Sequence, residues 1–108
     1  MRLLLTGASG QLGAYLLREL RGTDVTAWSG ASRGERFGVP LRLVDLADRD
    51  AVASAFREAR PDAVVHAAAL ARVADCRRDP DRARRINTDA AALLAELAGA
   101  AHARMVHV

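Results

Sequence analysis

Thr6-Gly7-Ala8-Ser9-Gly10-Gln11-Leu12-Gly13, close to the N-terminus, is the stretch that decides the fold of this 108-residue chain. The apolar run Leu3 to Leu5 precedes it and indicates a buried strand, and leucines at helical spacing follow it. A strand, a glycine turn and a helix start therefore follow one another. This order aims free backbone N–H groups and the positive end of a helix dipole at the space above the turn. A phosphate is the natural occupant of that space.

The three glycines of this stretch have the spacing Gly-x-x-Gly-x-x-Gly. They are expected to provide a tight turn, a close backbone approach to a pyrophosphate, and close packing of the helix on the strand. A tight turn that binds nothing is the alternative, but the strand before it and the helix after it favour a dinucleotide site. The residues that this motif predicts to bind the cofactor are Gly7, Ser9, Gly10, Gln11, Leu12 and Gly13.

Composition predicts one globular domain without a membrane partner. Apolar residues make up 51% of the chain, and no apolar run approaches the roughly 18 residues of a membrane span. The chain enters a strand at once, which leaves no room for a signal peptide, and the single Cys76 fits a reducing compartment. We therefore expect a cytoplasmic protein.

The charged residues predict neither a nucleic-acid partner nor a metal site. The net charge is +3, and the 16 basic residues, all of them arginine, are interleaved with Asp and Glu rather than gathered beside aromatic side chains. The three histidines have no Cys or carboxylate partner at the spacing of metal ligands. A solvated surface of mixed charge accounts for the arginines, including Arg78, Arg82 and Arg85.

The remaining elements alternate between strands and helices. After the first helix, which runs from about Gln11 to Arg21, strands are predicted at 24–28, 41–44, 63–66 and 104–108, and helices at 49–59 and from 80 to about 99. Asp48 and Asp79 are expected to cap the second and third helices, and residues 29–40 are expected to form a polar loop that contains glycines. This alternation predicts an α/β fold, a doubly wound parallel sheet of the Rossmann type with strand order 3-2-1-4-5. Its topological switch places a ligand between Gly7–Gly13 and Ala67–Ala69.

The loop after the second strand indicates which dinucleotide is accepted. An NAD site has an Asp or Glu there to bind the ribose hydroxyls, whereas this chain has Ser29, Ser32 and Arg33. Hydroxyls and a guanidinium bind a 2′-phosphate through charge-assisted hydrogen bonds. The sequence therefore favours NADP over NAD, unless Arg33 points to solvent and Glu35 offsets its charge.

Several motifs, in order and spacing, resemble the extended branch of the short-chain dehydrogenase/reductase superfamily. They are Thr-Gly-x-x-Gly-x-x-Gly at the N-terminus, His66-Ala67-Ala68-Ala69, the Asp79-Pro80 helix start and the closing 105–108 segment. Within that branch the whole chain is similar to the dTDP-4-dehydrorhamnose reductases and to the regulatory β subunit of methionine adenosyltransferase.

The resemblance assigns further residues to a cofactor site. It implies that Asp45 accepts a hydrogen bond from the adenine amine and that Leu46 packs near the ring. It also implies that Ala67, Ala68 and Ala69 are small because the nicotinamide-side ribose and phosphates pass close to their backbone. Ordinary packing at the strand ends is the alternative for Asp45 and Leu46 and for the three alanines. Asn87 resembles the helix asparagine of the family, and we expect it to have a structural role.

The chain departs from the family pattern at its end. Family members continue from the fifth strand into a Ser/Thr and then a Tyr-x-x-x-Lys, whereas here Tyr15 is the only tyrosine, lysine is absent and the sequence stops at Val108. We therefore expect residues 1–108 to be an incomplete dinucleotide-binding domain, truncated after the fifth strand. The resemblance implies that the proton donor and the substrate-binding part are absent, and the chain alone is expected to be inactive.

The expected function is the NADP-binding portion of a reductase that acts on a nucleotide-sugar ketone. A nucleotide-sugar epimerase or dehydratase, a non-catalytic NADP-binding regulatory subunit, and a stand-alone binding module of 108 residues are the alternatives. The substrate partner would belong to the full-length parent protein, and a homo-oligomer stays open. The last strand is expected to be an apolar edge that favours association.

Overall fold

The computed structural model describes residues 1–30, 33–68 and 77–108. In these residues six strands form one sheet: β1 (Arg2–Thr6), β2 (Asp24–Ser29), β3 (Gly34–Arg36), β4 (Val39–Leu43), β5 (Ala63–His66) and β6 (Arg104–His107). The helices are α1 (Gln11–Leu20), α2 (Arg49–Ala59), α3 (Pro80–Arg84) and α4 (Ala90–Ala100), and a π-helical turn (Arg85–Asp89) joins the last two. None of the helices in these ranges combines the length and apolar character that crossing a bilayer requires.

The sheet has the order β3-β4-β2-β1-β5-β6. All neighbours pair in parallel except β3 and β4, which pair antiparallel. When β3 is set aside, the five parallel strands lie in the predicted 3-2-1-4-5 order. The prediction of an α/β fold of the Rossmann type is confirmed, with one additional strand at the edge.

The additional strand corrects the prediction that residues 29–40 form a loop. β3 and β4 are joined by a two-residue turn in which Phe37 has φ 54° and Gly38 has φ 77°. Two successive positive φ angles are typical of the hairpin turns whose twist matches that of paired strands. β4 therefore begins at Val39, two residues before the predicted strand, and the sheet is mixed rather than wholly parallel.

The core lies on both faces of the sheet because successive strand residues point to opposite sides. Leu4 packs in one cluster with Trp28 and with Phe56 and Leu94 of α2 and α4. Leu5 packs in a second cluster with Leu17 of α1 and with Ala27. The central strand β1 is thus covered on both sides, as its continuous apolar sequence predicts.

Both predicted helix caps are present. Asp48 accepts a hydrogen bond from the backbone N–H of Ala51 at 3.1 Å, and Asp79 accepts one from the N–H of Arg82 at 3.0 Å. These side chains bind amides that the first helical turn leaves without partners. α2 has the predicted bounds, and the predicted third helix is observed as α3, the π turn and α4.

Candidate functional site

The glycine turn between β1 and α1 is fixed mainly by Gly7 and Gly13. Gly7 has φ 72°, and a Cβ atom there would lie 2.7 Å from the backbone nitrogen of Ala68. A Cβ atom at Gly13 would lie 1.7 Å from the carbonyl oxygen of Gly7. At Gly10 the nearest atom to such a Cβ is 3.4 Å away, which is an ordinary contact. The chain's own packing therefore requires glycine at 7 and 13, while space remains above Gly10.

The N-terminus of α1 has no capping side chain. Gly10 is the N-cap residue, no side chain of the described residues caps the first turn, and the turn contains no acidic residue. The first N–H groups of a helix lack intrahelical acceptors, and the helix dipole gives them partial positive charge. This helix end is suited to an external anion.

A buried hydrogen-bond network joins the end of β1 to the end of β5. The Oγ1 atom of Thr6 accepts from the backbone N–H groups of Ala67 at 3.1 Å and Ala68 at 3.2 Å. It lies 2.6 Å from Nδ1 of His66, so the hydroxyl donates its one proton to that nitrogen. This assigns the imidazole proton to Nε2. Burial, and to a smaller extent the nearby His107, lower the pKa of His66 to about 4, so the ring is neutral.

A cleft of about 300 Å³ opens at the carboxyl ends of the parallel strands. It lies at the ends of the paired strands β1 and β5, where the strand order reverses, and α/β folds bind ligands at this topological switch point. Its lining combines the glycine turn, the ends of β2 and β5, the segment after β4 and the α3 region: Thr6, Gly7, Ser9, Gly10, Trp28, Gly30, Asp45, Leu46, Ala67, Ala68, Arg82 and Ile86.

The cleft brings together half of the residues predicted to bind the cofactor. Gly7, Ser9, Gly10, Asp45, Leu46, Ala67 and Ala68 line it. Five further predicted residues do not belong to the lining. Of these, Gln11, Leu12 and Arg33 are exposed, whereas Gly13 and Ser29 are buried. Ser32 and Ala69 lie outside the described residues.

Two arginines near the cleft were not predicted. Arg82, interpreted from the sequence as a surface residue, lines the cleft and places Nη2 3.4 Å from Oδ1 of Asp45. Arg36, the last residue of β3, donates from Nη1 to the carbonyl oxygen of Ala8 at 3.0 Å and that of Gly10 at 3.4 Å. Helical spacing from the cap Asp79 could have indicated Arg82, but no local signal indicates Arg36, because its position depends on the unpredicted hairpin.

The π turn lies beside the cleft. Ile86 of this turn lines the cleft, and Asn87, which the family resemblance assigns a structural role, is half-buried in the same turn. Such turns widen a helix locally and occur often at functional sites. Across the described ranges, His, Cys, Asp and Glu side chains do not gather in groups of three that would hold a metal ion.

A sheet of this order with a glycine turn at the switch point defines a Rossmann-like α/β domain. The chain belongs to the RmlD substrate binding domain family, whose model matches residues 1–108. The resemblance to the dTDP-4-dehydrorhamnose reductases is thereby confirmed.

Three curated proteins with different names are similar in sequence to most or all of this chain. The chain is 34% identical over 108 residues to a dTDP-4-dehydrorhamnose reductase of Sinorhizobium fredii, covering 100% of this chain and 33% of that protein. It is 34% identical over 99 residues to methionine adenosyltransferase 2 subunit beta of Danio rerio, covering 91% and 30%. A 3-diazoavenalumate denitrifying reductase of a Streptomyces species is 40% identical over 114 residues, covering 96% and 36%. The chain spans about a third of the length of these relatives.

Solved structures with bound dinucleotides have the same fold. The UDP-glucose 4-epimerase of Thermus thermophilus in complex with NAD is 35% identical, with a TM-score of 0.78, over 94% of this chain and 35% of that one. The dTDP-4-dehydrorhamnose reductase of Bacillus anthracis in complex with NADP is 27% identical, with a TM-score of 0.77, over 96% and 34%. Oxidoreductases and epimerases are thus both among the relatives.

Proposed function

We propose that residues 1–108 are the NADP-binding portion of a reductase that acts on a nucleotide-sugar ketone. The observation that carries the proposal is the uncapped N-terminus of α1, which opens beside a cleft lined by Gly7, Ser9 and Gly10. A phosphate-bearing ligand supplies the acceptors that these amides lack. The relative named dTDP-4-dehydrorhamnose reductase, which matches all 108 residues of this chain and shares a third of its own length with it, supports the choice of reaction.

The residues present fit a dinucleotide. Gly10 lines the cleft without a side chain, which permits a diphosphate to approach the backbone closely, and the small residues Ala67 and Ala68 line the cleft as well. Beyond the diphosphate, Asp45 has the acceptor chemistry to bind an adenine amine, and Leu46 offers an apolar surface to the ring. NADPH, when bound, supplies a hydride, and the residues of this chain bind and orient the cofactor.

NADP is proposed over NAD because β2 ends without a carboxylate. Ser29 and Gly30 occupy the position at which an NAD site has an acidic residue, and the exposed Arg33 follows nearby. An exposed guanidinium is available to pair with a 2′-phosphate.

We propose that the protein is located in the cytoplasm. The single Cys76 suggests a reducing compartment, and a reductase that uses NADPH fits such a compartment.

Titration of the chain with NADPH and NADH tests the proposal, with fluorescence of the only tryptophan, Trp28, as the readout. Trp28 is 1% exposed and lines the cleft, so a ligand there alters its surroundings. Gly10→Ala is the matched variant, since its methyl group makes only an ordinary contact of 3.4 Å with the Gly7 carbonyl oxygen and is added to a residue that lines the cleft. We expect folding to be retained and both affinities to fall at least about tenfold. Wild-type protein that binds neither cofactor would refute the proposal.

A second candidate is a non-catalytic NADP-binding regulatory subunit, favoured by the similarity to methionine adenosyltransferase 2 subunit beta. Both candidates predict cofactor binding by residues 1–108. The full-length protein distinguishes them: a reductase oxidises NADPH when a nucleotide-sugar ketone is added, whereas a regulatory subunit binds NADPH without turnover.

A further inference from the structure

Arg36 links the β3–β4 hairpin to the glycine turn. It is half-buried, and its Nη1 atom lies 3.0 Å from the carbonyl oxygen of Ala8 and 3.4 Å from that of Gly10. These residues are 28 and 26 positions away in the chain. The guanidinium does not line the cleft, so Arg36 lies behind the turn rather than inside the ligand space.

The two carbonyl contacts constrain the amides that follow them. The described residues contain no cis peptide bond, and across a trans peptide the C=O of one residue and the N–H of the next point in opposite directions. Carbonyl groups of Ala8 and Gly10 that point towards Arg36 therefore direct the N–H groups of Ser9 and Gln11 away from it. Ser9 lines the cleft, so its N–H belongs to the surface that faces a ligand, and the N–H of Gln11 directly follows Gly10, which also lines the cleft.

The charge of Arg36 adds a second argument. A cation beside a helix N-terminus is unfavourable by itself, because the helix dipole is positive there. The first turn of α1 contains no acidic residue that would offset this charge. An anion bound at the helix end interacts favourably with both the dipole and the guanidinium.

We propose that Arg36 is a positioning residue for the diphosphate of the dinucleotide, acting by holding the carbonyl groups of Ala8 and Gly10. This inference rests on the proposed function and deepens it. Both contacts come from the single atom Nη1, whose N–H donors have fixed directions in the plane of the guanidinium, whereas a lysine ammonium is a compact charge on a flexible stem. We therefore expect arginine to hold the two carbonyl groups better than lysine would.

The test measures the dissociation constants of NADH and NADPH for wild-type protein, Arg36→Lys and Arg36→Gln. Both cofactors share the diphosphate, so each variant is expected to weaken both by a similar factor of about ten or more. In the absence of cofactor, the backbone amide ¹H and ¹⁵N chemical shifts of Ser9 and Gln11 in both variants are expected to differ from those of the wild-type protein. Arg42→Gln is the control: it removes the same charge from β4, where Arg42 pairs with Glu58, and its affinities are expected to equal those of wild type.

The outcomes separate the two proposals. Wild-type protein that binds neither cofactor refutes the proposed function itself. If wild type binds and Arg36→Lys retains its affinity, charge alone suffices and the positioning role is wrong. A loss confined to NADPH would indicate contact with the 2′-phosphate and would also overturn it. If Arg36→Gln does not fold, Arg36→Lys, which keeps the charge, decides the question.

Discussion

Thr6 and His66, 60 residues apart in the chain, form a buried side-chain hydrogen bond of 2.6 Å between the ends of the neighbouring strands β1 and β5. The same hydroxyl accepts from the amides of Ala67 and Ala68. One oxygen atom therefore fixes the distance between the glycine turn and the opposite wall of the cleft. Thr6 therefore has a structural role, which is to connect the ends of β1 and β5, and its position beside the glycine turn in the sequence does not indicate this role.

Thr6→Val is expected to lower the free energy of unfolding by roughly 2–4 kcal/mol, because it leaves buried donors and acceptors unpaired. The side chains have nearly the same shape, so the loss reports the hydroxyl. Thr6→Ser is the control: it keeps the oxygen, and its loss is expected to stay below about 1.5 kcal/mol. Urea unfolding measures both, and equal losses for the two variants would contradict the network.

Stability is expected to rise with pH between about 4 and 6.5. In the unfolded chain His66 has its ordinary pKa of 6.5, whereas in the folded chain burial and His107 lower it to about 4. The unfolded chain binds more protons than the folded chain in this window, so acid favours unfolding. Across the whole window the free energy of unfolding is expected to change by roughly 3 kcal/mol. Urea unfolding at pH 4.5 and pH 7.5 measures the difference.

Two variants assign that pH dependence. His66→Gln is expected to reduce it, whereas His102→Gln, which replaces an exposed histidine, is expected to leave it unchanged. An identical pH dependence in His66→Gln and wild type would show that another group is responsible.

The elements predicted correctly are those that local sequence determines. The β1–turn–α1 unit depends on an apolar run followed by three glycines, and α2 and α3 begin at capping aspartates. Each of these signals lies within a few residues of the structure that it produces. The parallel strand order then follows from the general rule for right-handed crossovers.

The parts not predicted depend on contacts between distant residues. β3 is three residues long, contains a glycine and a charged pair, and β4 is the one strand with which it pairs, through a turn in which Phe37 adopts positive φ. Aromatic residues seldom adopt that conformation, so Phe37 does not indicate a two-residue hairpin turn. Arg36 and Arg82 were interpreted as surface charge because their partners, the glycine turn and Asp45, lie 26 or more residues away.

Arg33→Ala is expected to weaken NADPH binding much more than NADH binding, because only NADPH carries the 2′-phosphate. The ratio of the two affinities is expected to change by about tenfold. Arg33 is exposed and does not line the described cleft, so its removal leaves the core unchanged. Fluorescence titration of Trp28 with both cofactors measures the ratio of the two affinities. Equal losses for NADH and NADPH would show that Arg33 does not contact the 2′-phosphate.

Gly13→Ala and Gly99→Ala are expected to change stability in opposite directions although both replace a glycine within a helix. The new Cβ at position 13 would lie 1.7 Å from the Gly7 carbonyl oxygen, so α1 must move away from the turn, at a cost of about 3 kcal/mol. Position 99 has no heavy atom within 4 Å of the new Cβ, and alanine there is expected to stabilise α4 by about 0.5–1 kcal/mol.

Urea unfolding of the two glycine variants measures these changes. Because helix propensity alone favours alanine at both positions, opposite signs isolate the packing of α1 on the turn. A neutral or stabilising effect of Gly13→Ala would mean that α1 does not approach Gly7 this closely. The helix N-terminus would then lie further from the cleft than an anion site at Ser9 and Gly10 requires.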